Sequence, residues 1–169
     1  MASGKQDATR LLTEDHREVE ALFAKFQSAF RDGKKEKIAR QICTELKIHT
    51  LLEEEIFYPA LRGKIPDDDL DEAMVEHDGA KVLINEIEAG GPDEDYYEAK
   101  VKVLKEMIEH HVKEEEKERD NLFQQARAAD VDLEELGERM AARKAELKAL
   151  AETEGLPPAK LPTMQHEGA

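Results

Sequence analysis

Two His–Glu pairs carry the clearest chemical signal in this sequence. His49 precedes Glu53 by four positions in the stretch H-T-L-L-E, and His111 precedes Glu115 by four positions in H-V-K-E-E. Residues four apart lie on the same side of an α-helix, one turn from each other. Each pair can therefore present an imidazole nitrogen and a carboxylate oxygen to the same point in space.

Two further histidines, His16 and His77, stand singly in two other segments with helical periodicity. Four helices could thus direct four imidazoles and two carboxylates at one centre, a donor set suited to two metal ions in a helical bundle. Imidazole and carboxylate without thiolate favour iron, manganese, zinc or cobalt over soft copper sites. A metal-free network of polar core residues is the alternative.

The positions of these residues favour the metal interpretation. A buried carboxylate is costly unless it is paired or bound to a metal. One core histidine is more often a hydrogen-bonded structural residue, but four of them on four apolar stripes reverse that preference. The predicted ligands, all at apolar-stripe positions, are His16, His49, Glu53, His77, His111 and Glu115.

Apolar residues recur every three or four positions in four stretches, which predicts four amphipathic helices. Their lengths and short connections predict an all-α fold, an up-down-up-down four-helix bundle. Glycine and proline mark the breaks between the stretches. The four stretches run from Leu12 to Gly33, from Ile42 to Pro59, from Pro66 to Gly90 and from Val101 to Leu122.

A fifth, C-terminal helix is predicted from about Asp132 to Ala151, with a stripe that Arg143 interrupts. We expect it to pack on the outside of the bundle or on another subunit, which would make an oligomer. The bundle then occupies residues 1–152, with the metal-binding core at about 7–128. Three prolines in residues 153–169 predict an irregular tail.

Composition excludes several classes of partner. The net charge of −15 argues against binding to nucleic acid or to an anionic membrane, because both require a basic surface. The single cysteine, Cys43, permits no internal disulfide and is expected to be a small buried hydrophobe. No apolar run approaches the ~18 residues of a membrane span, and the N-terminus has no apolar signal core. A cytoplasmic protein is therefore expected.

Four segments together resemble the hemerythrin-like, HHE cation-binding family. They are L-L-T-E-D-H-R-E-V-E-A-L-F, H-T-L-L-E-E-E-I-F-Y-P, V-E-H-D-G-A and E-H-H-V-K-E-E-E. The resemblance covers roughly residues 7–128, and the ordered set is specific although each segment alone would be weak. Ferritin-like sites differ because they use Glu-x-x-His rather than His-x-x-x-Glu.

The resemblance implies a non-haem di-iron site, with zinc or manganese as substitutes for iron. Glu53 and Glu115 would bridge the ions, and the four histidines would be terminal ligands. Oxygen-carrying hemerythrins have a further histidine at the position of Ala73. Water, Tyr58, Glu76 or another group could occupy the resulting gap.

Several neighbouring residues are not expected to be ligands. His110 and Glu114 share the four-residue spacing, but only His111 continues the apolar stripe, so His110 should be exposed. His166 lies in the tail. The other glutamates of 53–55 and 114–116 are expected to face solvent. Three phenylalanines are expected in the core, and the first two could line a dry pocket over the metals: Phe23, Phe26 and Phe30.

The leading functional hypothesis is a di-iron protein that binds or reacts with a small oxidant, such as oxygen, peroxide or nitric oxide. Oxidase-like or peroxidase-like activity would follow, with an electron donor that the sequence does not specify. We expect reaction rather than reversible oxygen carriage. The alternatives are iron or cation binding or sensing without turnover, and a metal-free interaction module.

Overall fold

The structure, a computed structural model, describes residues 6–164 of the 169-residue chain. This part of the chain is all-helical, as the periodicity predicts. Two of its α-helices run directly into π-helical turns, at Glu53–Phe57 and Lys113–Lys117. The α-helices are α1 (Ala8–Ser28), α2 (Asp32–Leu52), α3 (Tyr58–Leu61), α4 (Asp67–Ala89), α5 (Tyr97–Val112), α6 (Leu122–Ala128) and α7 (Leu133–Thr153).

The four long helices α1, α2, α4 and α5 form the predicted up-down-up-down bundle. Helices α1, α2 and α4 each contribute to two buried apolar clusters, and α5 contributes to the second of them. The order in which the chain meets the two clusters reverses from one helix to the next, so consecutive helices run in opposite directions. The first cluster includes Leu12, Leu52, Leu70 and Phe123. The second cluster includes Phe26, Ile42, Ile84 and Leu104.

The end of the first helix differs from the prediction. Helix α1 ends at Ser28, and Gly33 lies inside α2 instead of terminating α1. The backbone turns extended at Ala29, so Phe30 no longer follows the helical phase that buries Phe26. Phe30 is 95% exposed, and its predicted place in the core is wrong.

The predicted C-terminal helix is present as α7, which packs on the outside of the bundle against α1 and α2. The Asp132 side chain caps it by accepting a hydrogen bond from the Glu135 backbone N–H. Gly137 permits a close approach to α1, since a Cβ there would lie 2.6 Å from the Gln6 carbonyl oxygen. The apolar stripe of α7 is therefore already covered within this chain, at Leu136, Met140 and Leu147.

After α7, residues 155–161 have no regular secondary structure but are held against α2 and α4 by hydrogen bonds. Among residues 6–164, no helix has both the length and the apolar character that crossing a bilayer requires. Cys43 is buried, as predicted.

Candidate metal centre

A polar layer separates the two apolar clusters, and it contains all six predicted ligands. Each residue comes from the middle or end of a bundle helix: His16 from α1, His77 from α4 and His111 from α5. The six residues are 0–5% exposed: His16, His49, Glu53, His77, His111 and Glu115. Six polar side chains so deeply buried need partners that compensate their lost hydration.

The four imidazoles form two pairs. The Nε2 atoms of His16 and His49 are 3.2 Å apart, and the Nε2 atoms of His77 and His111 are also 3.2 Å apart. Each pair joins a carboxylate in a group whose donor atoms lie within 4.8 Å of one another: His16, His49 and Glu115 in one, Glu53, His77 and His111 in the other. The arrangement offers two adjacent groups of donors, each of which could hold a metal ion.

Glu53 lies between the two histidine pairs. Its Oε1 is 2.9 Å from His49 Nε2 and 3.2 Å from His77 Nε2, so it reaches one histidine of each pair. Glu115 does the same, since its Oε1 is 3.3 Å from both His16 Nε2 and His111 Nε2. Both carboxylates are thus placed to bridge two ions.

Three buried carboxylate oxygens in this layer accept no hydrogen bond of good geometry, although histidine nitrogens lie close to two of them. They are both oxygens of Glu53 and Oε1 of Glu115. Leaving such atoms unsatisfied costs about 1–3 kcal/mol each, and more when they are charged. Metal ions between the histidine pairs would satisfy all three. The donor set, four imidazoles and two carboxylates, suits divalent transition metals.

The carboxylates of this layer favour the protonated form of two histidines. Burial alone would lower the pKa of His49, but the charge of Glu53 and the hydrogen bond to Asp15 raise that pKa to about 10. Burial would also lower the pKa of His111, but the charge of Glu115 outweighs this effect, and the pKa lies well above its usual value. Because imidazole binds metal only when neutral, a metal ion held by these histidines would compete with protons for them.

A second carboxylate supports most of the histidines from outside. Asp15 lies 3.1 Å from His49 Nδ1, Glu54 2.8 Å from His77 Nδ1, and Glu76 2.8 Å from His111 Nδ1. Such partners fix the orientation of the ring, so that Nε2 faces the centre, and they raise the basicity of the imidazole. The prediction that Glu54 faces solvent is therefore wrong.

Glu116 is the outer carboxylate nearest to His16, but it lies farther from its histidine than the other three do. One of its oxygens is 3.6 Å from His16 Nδ1, beyond hydrogen-bonding distance, and its side chain is only 9% exposed. The prediction that Glu116 faces solvent is therefore also wrong. The His16 pKa is lowered, because burial outweighs the opposing effect of the nearby Glu115 carboxylate.

Each outer carboxylate is itself paired with a cationic or ionisable group. Lys144 of α7 contacts Asp15, Lys81 contacts Glu54, and Arg17 contacts Glu116. Glu76 instead meets His110, whose Nε2 is 3.2 Å away. The predicted exposure of His110 is confirmed, since 60% of its side chain is accessible.

A pattern in the sequence does indicate the outer carboxylates. An acidic residue stands directly beside a predicted ligand in every segment: Asp15 before His16, Glu54 after Glu53, Glu76 before His77 and Glu116 after Glu115. Each one supports or approaches a histidine of a different helix, so helix pairing had to be known before the partners could be assigned.

The hydroxyl of Tyr58 lies inside the centre. It donates to Glu115 Oε2 at 2.9 Å and is 3.3 Å from His77 Nε2. Burial and the charge of Glu115 hold its pKa well above the usual range, so the hydroxyl keeps its proton. Glu76 is directed to His111 Nδ1. Tyr58 therefore lies on the inner side of His77, where it could occupy the gap beside Ala73, whereas Glu76 lies on the outer side of His111.

We expect Tyr58→Phe to lower the affinity for the ion nearest His77 by roughly 10-fold, because a hydrogen bond to a charged group is worth about 1.5–3 kcal/mol. Competition with a coloured chelator would measure this. Tyr97→Phe is the matched control, since the buried Tyr97 hydroxyl has no hydrogen-bond partner and lies in the second apolar cluster. Equal affinities in the two variants would contradict a role for the Tyr58 hydroxyl.

Two cavities adjoin the centre. A void of about 20 Å³ is bordered by all four histidines and by apolar side chains such as Val19 and Ile84. It has room for about one water-sized molecule. A cavity of about 230 Å³ on another side reaches Ala73, His111 and Glu115, and acidic side chains dominate its lining. That composition favours cations.

Aromatic packing around the histidines differs from the prediction. Phe23 and Phe26 are buried but belong to the second apolar cluster, and neither borders the small void. Phe123 instead stacks on His16, with ring centroids 5.9 Å apart. His166 lies outside the described residues.

Comparison with known proteins gives one family and two relatives. Residues 7–119 match the family described as Hemerythrin HHE cation binding domain. A solved hemerythrin HHE cation binding domain-containing protein from Mycobacterium kansasii is similar over 89% of this chain and 94% of that one. Its TM-score is 0.72 and its sequence identity 26%.

A protein described as a DNA nickase from Nostoc sp. (strain PCC 7120) is 31% identical over 111 residues. The match covers 66% of this chain but only 31% of that protein. The chain therefore spans about a third of that relative.

Proposed function

The chain belongs to the hemerythrin HHE cation-binding family, and we propose that it is a non-haem di-iron protein that reacts with a small oxidant. The observation that carries the proposal is the position of two buried carboxylates, Glu53 and Glu115. Each of them reaches one histidine of the first pair and one histidine of the second pair. Two bridging carboxylates and four imidazoles suit two iron ions, and zinc or manganese could replace them. Cation binding follows from the family, whereas iron and the oxidant are our proposal.

Bound iron would supply reversible electron transfer and a Lewis-acid position for a small ligand. The protein contributes the surroundings. The outer carboxylates orient the imidazoles, and the apolar clusters limit the access of water. Tyr58 holds a proton at its hydroxyl oxygen beside Glu115. The void of about 20 Å³ favours oxygen, peroxide or nitric oxide over larger substrates.

Ala73 supports reaction over reversible oxygen carriage, since it supplies no ligand where the carriers have histidine. We expect the ferrous-loaded protein to oxidise in air and to remain oxidised when oxygen is removed. It should also consume added peroxide. Anaerobic loading followed by optical spectroscopy during cycles of oxygen addition and removal would measure this. Full return to the ferrous state on removing oxygen would contradict the proposal and indicate a carrier.

Cation binding without turnover is the second candidate function. The acidic cavity that ends at Ala73, His111 and Glu115 favours it, because it offers cations a route to the centre. Two bound ferrous ions whose oxidation state does not change with oxygen or peroxide would support this alternative. No nucleic-acid partner is proposed, in view of the net charge of −15. A cytoplasmic location and an oligomer through α7 remain predictions.

A further inference from the structure

The segment 156–163, beyond the part of the chain that matches the family, lies against α4 and comes close to the metal centre. Asn85 and the backbone of Ala159 exchange two hydrogen bonds, of 3.0 and 2.8 Å. Thr163 donates to Asp78 Oδ2 from its backbone N–H at 2.7 Å and from its hydroxyl at 2.6 Å. Asp78 is fully buried, so these bonds compensate a charge that has no access to solvent.

Lys81 connects this segment to the interior. Its ammonium group donates to the Lys160 carbonyl oxygen at 3.0 Å, to Glu54 Oε1 at 2.8 Å and to Asp78 Oδ1 at 3.3 Å. An ammonium group has three N–H donors, and all three are used. Lys81 is only 4% exposed, so the group has little water to replace a lost partner.

Glu54 continues the connection to the metal centre. Lys81 Nζ lies 2.8 Å from both Glu54 oxygens, and Oε2 is also 2.8 Å from His77 Nδ1. His77 Nδ1 is on the opposite side of the ring from Nε2, the nitrogen that faces the other histidines of the centre. The position of the Glu54 carboxylate sets the orientation of the His77 ring. A continuous path thus runs from the Lys160 carbonyl through Lys81 and Glu54 to His77.

We propose that Lys81 is a positioning residue that couples the docked C-terminal segment 156–163 to metal binding at His77. Because such coupling is reciprocal, the docked segment strengthens binding of that ion, and the bound ion strengthens docking of the segment. The inference rests on the proposed function only in requiring that two metal ions bind.

The first test compares Lys81→Met with the wild-type protein, loaded anaerobically with ferrous iron and titrated with a competing chelator. We expect one of the two ions to bind about 10-fold more weakly and the other to be unchanged, since outer partners of ligands typically contribute about 10- to 100-fold in affinity. Lys148→Met is the matched control, because Lys148 lies 4.0 Å from Glu45 and its side chain is 44% exposed.

The second test measures amide hydrogen exchange at Ala159 and Thr163, with and without metal. Both backbone N–H groups donate to side chains of α4. In the wild-type protein metal should slow their exchange, and in Lys81→Met this effect of metal should disappear. Asn85→Ala loosens the segment while leaving Lys81 and Glu54 intact. Asn85→Ala should therefore weaken the binding of the same ion. This variant replaces Lys81→Met in the test if Lys81→Met does not fold.

The outcomes separate this inference from the proposed function. Two ions bound with wild-type affinity in both Lys81→Met and Asn85→Ala would overturn the coupling. Equal weakening of both ions, with exchange that does not respond to metal even in the wild-type protein, would make Lys81 a structural residue only and also overturn it. Wild-type protein that takes up no metal would refute the proposed function, and this inference with it.

Discussion

Glu53→Ala is expected to reduce the affinity for both metal ions by at least about 100-fold, more than loss of an outer partner, which typically costs about 10- to 100-fold. Glu53 is fully buried and touches one histidine of each pair, so its loss removes a donor from both positions at once. Elemental analysis after reconstitution with ferrous iron should give less than one ion per chain.

The two following glutamates provide graded controls for this prediction. Glu54→Ala should weaken only the ion nearest His77, by about 10-fold, because Glu54 supports that histidine from outside. Glu55→Ala should leave both ions in place, since Glu55 pairs with Arg143 and its side chain is 39% exposed. Equal metal loss in all three variants would refute the assignment of Glu53 as a bridging ligand.

His111→Ala is the second change with a large expected effect. It should empty the position that His111 shares with His77 and remove the stabilisation that this ion gives the folded state. One ion at a free concentration of 100 times its Kd stabilises a protein by about 2.7 kcal/mol. That corresponds to roughly 5–10 °C in Tm for a domain of this size. The metal-dependent rise in Tm, measured by calorimetry with and without metal, should fall by this amount.

His110→Ala is the matched control for His111→Ala. It also removes an imidazole from α5, but the His110 side chain is 60% exposed and meets only Glu76 and Glu114 among the described contacts. Metal content and the metal-dependent rise in Tm should stay within error of the wild-type values. If His110→Ala bound no metal while His111→Ala bound as much metal as the wild-type protein, the roles of the two histidines would be reversed.

Much of the fold and of the inner site could be predicted because both depend on helical periodicity. Spacings of three and four residues predicted the bundle and placed His16, His49, His77 and His111 on its inner faces. The same periodicity separated His111 from the exposed His110. These are local properties of a helix, so they need no knowledge of how the helices pair.

Periodicity failed where the backbone leaves the regular α-helix. Phe30 was misplaced because the chain turns extended at Ala29. The π-helical turn at Glu53–Phe57 changes the phase as well, since its hydrogen bond joins the Tyr58 N–H to the Glu53 carbonyl, five residues back. Tyr58 can thus reach the side of the helix that carries Glu53, which a period of 3.6 residues does not predict.

What the sequence determined by itself was the helical class, the number of bundle helices and the six inner donors. Only the tertiary structure decided which partners those donors have. The outer carboxylates act on histidines of other helices, as Asp15 does on His49, and their cations come from as far along the chain as Lys144. Such contacts depend on the distances between helices, and a one-dimensional pattern does not contain those distances. For the same reason, no pattern in the sequence indicates that the segment 156–163 is linked through Lys81 and Glu54 to His77.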